Sequence, residues 1–173
     1  MSEIIVDTKK LTLTFGEFIT PCTIGRSGAC KETDKAEGDG CTPLGKYPLR
    51  AALFNPSRSN VPNAMQLPWR LTRPNDGWSD GQGDAAYNRP VFLPHEFSAE
   101  TLQRDDPLYN IIVILGHNDD PPVAGNGSAI FFHLWNHEKP EDDRTTEGCV
   151  AISRDAMEHL LPMLSCDDMM VIR

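Results

Sequence analysis

Basic side chains are scarce in this chain of 173 residues: 16 Lys and Arg stand against 25 Asp and Glu, a formal net charge of −9. The shortfall is uneven. Residues 1–60 carry 8 basic and 7 acidic groups (+1), residues 61–116 carry 4 and 7 (−3), and residues 117–173 carry 4 and 11 (−7). Phosphate binding needs clustered Lys and Arg, so no nucleic-acid partner is expected, nor adhesion to anionic lipid. Long apolar runs are also missing. The longest, Ile111–Leu115, is too short to span a bilayer, so no transmembrane segment is expected. The start, MSEIIVDTKKLTLTF, lacks the basic and apolar regions of a signal peptide, and on these residues alone a soluble, cytoplasmic protein is expected. The five cysteines (22, 30, 41, 149 and 166) contain no C-x2-C pair, and their odd number leaves at least one thiol outside any intramolecular disulfide. Repeats, low-complexity tracts and linkers are absent, which predicts one domain over residues 1–173.

What is present is mostly strand-like. Ile4–Val6, Leu11–Phe15, Phe18–Ile24, Lys46–Phe54, Tyr109–Leu115, Ala129–Trp135, Cys149–Ile152 and Met169–Ile172 are short, β-branched or alternating. A polar stretch from Asn55 to Asn88 reads as a long ordered loop, because Trp69, Trp78 and Tyr87 lie in it. Two peripheral helices are predicted. Ser98–Arg104 is one, ended by Pro107; the other follows Ser153, with Met157, Leu160, Leu161 and Leu164 in an i, i+3, i+4, i+7 stripe and Pro162 weakening its last turn. The prediction is a mostly β fold with helices at its edge.

Two motifs mislead. Gly40–Tyr47 (GCTPLGKY) approaches a phosphate loop, but Tyr47 replaces the metal-binding hydroxyl, Pro43 removes a backbone N–H, and Pro48 opposes the helix that should follow. Gly81–Ala86 (GQGDAA) lacks the preceding strand of a dinucleotide fingerprint. His133 and His137 have a zinc-ligand spacing only on a helix, and their segment reads as a strand. No zinc site is expected on these grounds.

The remaining constellation is chemical. His133 lies near the end of one apolar strand, and Cys149 follows Gly148 at the mouth of another. A thiol needs a neighbouring base to ionise near neutrality, and a glycine lets the backbone turn so that N–H groups at 148–149 face a developing oxyanion. A buried structural Cys and His fit the same residues, so both readings stand on spacing alone.

EGDGCTPLGKYPLR, YNRPV, GHNDDPPVAGNGSAIFFHLW and TTEGCVAIS together resemble the L,D-transpeptidase catalytic domain, the YkuD-like family, over roughly residues 20–173. The family's strand-end His maps to His133, its [S/T]-H-G-C-[I/V]-[R/N] motif to Thr146–Ala151, and its T-P-x-G strand start to Thr42–Gly45. Glu147 stands where the family has His, and Ala151 where it has Arg or Asn. The resemblance implies a mixed-sheet β-sandwich with short peripheral helices, and a cell-envelope location. It implies Cys149 as nucleophile, His133 as base and Gly148 beside the oxyanion, acting on peptidoglycan stem peptides with no metal or organic cofactor. A thioester would pass to an amine of a second stem, or to water as in an L,D-carboxypeptidase. A metal-dependent hydrolase or an inactive binding module is the reading from another class. Substrate contacts are expected from Trp78, Tyr87, Asn88, Arg89, His117, Asn118, Arg144, Thr146 and Glu147. Cys166 is expected to be buried, and Cys22, Cys30 and Cys41 to form one disulfide if the protein is exported or none in a cytosol.

Overall fold

The computed structural model describes residues 2–173. The chain opens with β1 (Glu3–Asp7), β2 (Thr12–Phe15) and β3 (Phe18–Pro21), an antiparallel meander turned at Gly16, whose φ of +58° suits a residue without Cβ. After β4 (Ala29–Lys31) comes β5 (Thr42–Phe54), the longest strand and the spine of the molecule. Its residues 45–48 pair antiparallel with β13 (Met169–Ile172), and residues 49–54 pair antiparallel with β10 (Ile111–Leu115). The main path through this sheet runs β12–β11–β10–β5–β13–β1–β2–β3, with β11 (Phe131–Leu134) and β12 (Val150–Ile152) forming the parallel edge that carries the site. The fold is mostly β, as the sequence predicts.

Alternation splits β11 between two environments. Phe132 and Leu134 enter a large apolar core with Val6, Leu13, Leu49, Phe54, Val113 and Ile152. Phe131 points the other way, into a smaller cluster with Leu53, Trp78, Leu102, Tyr109, Ile112, Ala129 and Cys149. His133, two residues on, shares that second face, its ring edge-on to Tyr109 at 5.2 Å.

The helix after Ser153 forms as α1 (Arg154–Leu160), with the Ser153 hydroxyl accepting the Ala156 N–H at 3.2 Å. It ends earlier than its apolar stripe. Pro162 has no N–H for the next helical bond, so Leu161–Met163 tightens into a 3-10 turn while Leu161 and Leu164 stay buried.

Two expectations need correction. Ser98–Arg104 is not a helix: Ala99–Thr101 forms strand β9 of a separate sheet ordered β8–β7–β9, with β7 at Asp76–Ser79 and β8 at Pro90–Phe92. Of that segment's side chains only Leu102 is fully buried, so no helical apolar face exists, whereas pairing with Gly77–Ser79 satisfies the backbone. The stretch 55–88 is likewise not all loop, since it supplies β6 (Trp69–Leu71) beside β5 as well as β7. Cys166 is exposed, not buried, while Cys22 is a buried free thiol and Cys30 is bonded to Cys41 with Cα atoms 5.9 Å apart.

Candidate active site

Cys149 sits one residue before β12, at the end of a turn only glycine can make. Gly148 has φ +137°, and a Cβ there would meet the Cys41 carbonyl oxygen at 2.8 Å. Thr146 braces the turn from within: its hydroxyl donates to the Cys149 carbonyl at 2.7 Å and accepts the Gly148 N–H at 3.1 Å. The Gly148 N–H is therefore engaged rather than facing the cavity, unlike the sequence expectation. Thr42, at the start of β5, also donates to the Cys149 carbonyl, at 3.5 Å.

The thiol is held from two sides by the chain leading into β11. Sγ donates to the Ala129 carbonyl at 3.2 Å and accepts the Phe131 N–H at 3.3 Å. Cys149 is nearly inaccessible, and burial pushes its thiol up to about 12, with the Glu100 charge adding to the rise; the Phe131 N–H, Lys35 and Arg104 oppose it. His133 is buried on the adjacent strand. Its Nδ1 lies 2.7 Å from the Leu134 carbonyl, which can only accept, so Nδ1 carries the proton and Nε2 is left as the basic nitrogen. Burial holds His133 down to about 4, with the Leu134 carbonyl opposing that fall. Near neutrality the pair rests as thiol and neutral imidazole.

Both residues line a cavity of about 400 Å³. Its charged rim mixes Lys35, Arg104 and Lys139 with Glu37, Asp80, Glu100 and Glu147. Tyr109, edge-on to His133, donates its phenol to Glu100 at 2.6 Å, and Arg104 lies over the Tyr109 ring. Burial and the Asp80 charge raise the Glu100 carboxyl, while the Tyr109 hydrogen bond lowers it. Glu147 is paired through two contacts with Arg26, at 3.0 and 2.8 Å. The loop between Cys30 and Cys41 supplies Lys35, Glu37 and Gly38 to the wall. Cys30, Asp39 and Cys41 form a group with metal-ligand chemistry, but both sulfurs are joined and Asp39 accepts from Lys35, Ala36 N–H and Cys41 N–H.

The other expected contact residues fall into two sets. Thr146 and Glu147 line the cavity. Trp78, Tyr87, Asn88, Arg89, His117 and Asn118 do not, and of the segment 78–89 only Asp80 reaches it. Tyr87 donates to Glu37, Arg89 to the Asp119 carbonyl, and Asn118 to the Val123 and Gly127 carbonyls. His117 is buried against Tyr47, with Nε2 3.2 Å from the Asn126 carbonyl. Arg144 is not among the lining residues either; it stacks on Trp135 and donates to the Lys139 carbonyl. Conversely, Tyr109, Glu100, Arg104 and Lys35 carry no mark in the sequence that assigns them to the cavity they line. Glu100 and Arg104 sit in a stretch whose local pattern suggests a helix, and nothing in a strand's period tells which side Tyr109 faces.

The family model of the YkuD L,D-transpeptidase catalytic domain matches residues 2–172. The chain belongs to this family. Among solved structures, this YkuD domain is similar to Bd1075 from Bdellovibrio bacteriovorus, at 16% identity and a TM-score of 0.49 over 99% of this chain and 47% of that one. L,D-transpeptidase 3 from Mycobacterium tuberculosis matches at 12% identity and a TM-score of 0.49, over 99% of this chain and 60% of that one. The chain thus spans about half to three fifths of the proteins it matches. No curated protein sequence matches it. No helix among the described residues is long and apolar enough to cross a membrane.

Proposed function

We propose that this YkuD domain is a peptidoglycan L,D-transpeptidase in which Cys149 is the nucleophile and His133 the base. The observation that carries this is the shared cavity. A thiol gripped by backbone and an imidazole with its basic nitrogen defined by the Leu134 carbonyl open into one space from neighbouring strands. The thiol proton moves to His133 Nε2 as Sγ bonds to the diaminopimelate carbonyl of a donor stem. The C–N bond to the terminal D-Ala then breaks, and the imidazolium returns the proton to the departing amine. An amine of a second stem attacks the thioester, its proton passes through His133, and the thiol is restored. Because the resting pair is neutral, proton transfer and attack are coupled, and no standing thiolate is needed.

The carboxylates around the cavity suit an acceptor that arrives as an ammonium ion. The Cys149 N–H is the donor left for the oxyanion while the Gly148 N–H stays on Thr146. Incubation with purified muropeptides tests the reading by intact-protein mass spectrometry and product analysis. A thioester on wild type, dimers among the products, and loss of both in Cys149→Ala are expected. Neither adduct nor dimer from wild type would overturn it, and tripeptide with free D-Ala as the main product would identify water as the acceptor instead.

A further inference from the structure

Asn88 lies outside the cavity and is 3% exposed, yet every hydrogen-bonding position of its side chain is used. Its Oδ1 accepts from Trp78 Nε1 at 2.8 Å and from the Ala129 N–H at 3.1 Å. Its Nδ2 donates to the carbonyls of His117 at 3.0 Å and Asn118 at 2.7 Å. One amide therefore joins β7, the turn after β10 and the segment entering β11. Such a saturated buried network specifies a single arrangement of the backbone it joins.

What it holds is unusual. Ala129 has φ +52°, in the left-handed region that a residue with a Cβ enters at a cost. Asn88 and Asn118 are left-handed as well, at +54° and +47°. Ala129 is the residue whose carbonyl accepts the Cys149 S–H. In an ordinary extended conformation that carbonyl would point elsewhere, and the bond from Asn88 to the Ala129 N–H opposes that relaxation. The second contact on the sulfur has the same anchor. Trp78, fixed at its Nε1 by Asn88, packs edge-on against the Phe131 ring at 5.1 Å, and Phe131 supplies the N–H that reaches Sγ.

We propose that Asn88 is a positioning residue for Cys149: it locks Ala129 in its left-handed conformation so that the Ala129 carbonyl and the Phe131 N–H together fix the thiol. This rests on Cys149 being the nucleophile. The two backbone groups act in opposite senses. The carbonyl stabilises the S–H form and the N–H stabilises the thiolate, so their joint placement sets both where the sulfur sits and how readily it loses its proton.

The test uses the full chain in a Cys166→Ser background, which removes the exposed thiol. Asn88→Ala and the double variant Asn88→Ala/Ala129→Gly are compared with the parent by muropeptide kinetics and by the pH profile of Cys149 alkylation with iodoacetamide, read at the peptide by mass spectrometry. Asn88→Ala is expected to lower kcat by about 10- to 100-fold with KM little changed. Asn88 holds Ala129 directly and Phe131 only through Trp78, so loss of the fixed acceptor outweighs loss of the N–H, and the alkylation midpoint should fall by about one pH unit. Glycine adopts φ +52° without strain, so the double variant should recover part of both effects, which general loosening would not allow. Unchanged kcat and midpoint in Asn88→Ala would overturn the proposal, as would a double variant no better than Asn88→Ala. Should Asn88→Ala fail to fold, the same comparison between Asn88→Ser and Asn88→Ser/Ala129→Gly decides. If the parent turns over no muropeptide, the transpeptidase reading fails, but the alkylation profiles still decide the role of Asn88.

Discussion

The two packed clusters on either side of β11 are built on opposite chemistry. The larger one, around Phe132, Leu134, Phe54 and Ile152, is apolar and is held by burial of hydrocarbon. The smaller one sets Trp78, Tyr109, Phe131 and Cys149 beside Asn88, Glu100 and His133, and most of its polar atoms need a named partner. A hydrocarbon core accepts exchanges that conserve volume, while a partnered cluster fixes geometry and fails when one member is lost. The difference between stability and function is thus laid across the two faces of one short strand.

That contrast can be broken in a graded way. Cys149→Ala should cost on the order of 10³-fold or more in muropeptide turnover, about 4 kcal/mol of barrier, with about 1–3 kcal/mol of stability lost as the Phe131 N–H and Ala129 carbonyl give up their shared partner. Phe132→Ala, one residue from His133 but facing the other way, should lower stability by about 3–5 kcal/mol in urea titrations while sparing kcat per folded molecule. An equal activity loss in both would erase the distinction.

Acid sensitivity is a third, smaller effect of the polar side. The unfolded chain binds a proton at His133 near 6.5 and the folded one only near 4. As pH falls through that window the unfolded state gains a proton that the folded state refuses, so stability declines downward by up to about 3 kcal/mol. Above 6.5 the contribution is flat. Unfolding free energies of wild type and His133→Gln from pH 4 to 7 should converge at the acid end, and parallel curves would show that His133 does not supply the slope.

Thr146→Val should cost about 1–3 kcal/mol by leaving the Gly148 N–H without its acceptor, measured by thermal melts. Smallest is the ion pair at the rim. Both Arg26 and Glu147 are well exposed, so Arg26→Ala should change stability by less than about 1 kcal/mol despite its good geometry.

Residue pattern makes some of this visible in advance and hides the rest for definite reasons. The strands that bury β-branched side chains, such as Ile111–Leu115 and Phe131–Leu134, announce themselves, as do the glycine before Cys149 and the Ser153 cap. β7 and β9 do not, because Gly77, Glu100 and Thr101 owe their extended form to each other across the sheet rather than to local preference. Asn88 and Trp78 stand out as polar and aromatic groups in a loop, which suggests contact with something. Only the fold shows that their contacts are the backbone behind the sulfur. Nor does an alanine in a stretch like GNGSAIFF reveal a positive φ.

The position of β13 also governs when the molecule can exist. Its residues Met169–Ile172 lie between β5 and β1, pairing antiparallel with one and parallel with the other. Until β13 has been made, β1 and β5 lack their common neighbour, and the first meander is tied to the catalytic edge only through single bridges such as Thr23 to Ala151 and Gly25 to Thr146. Inserting β13 brings together segments more than 120 residues apart, a pairing of the slow, non-local kind.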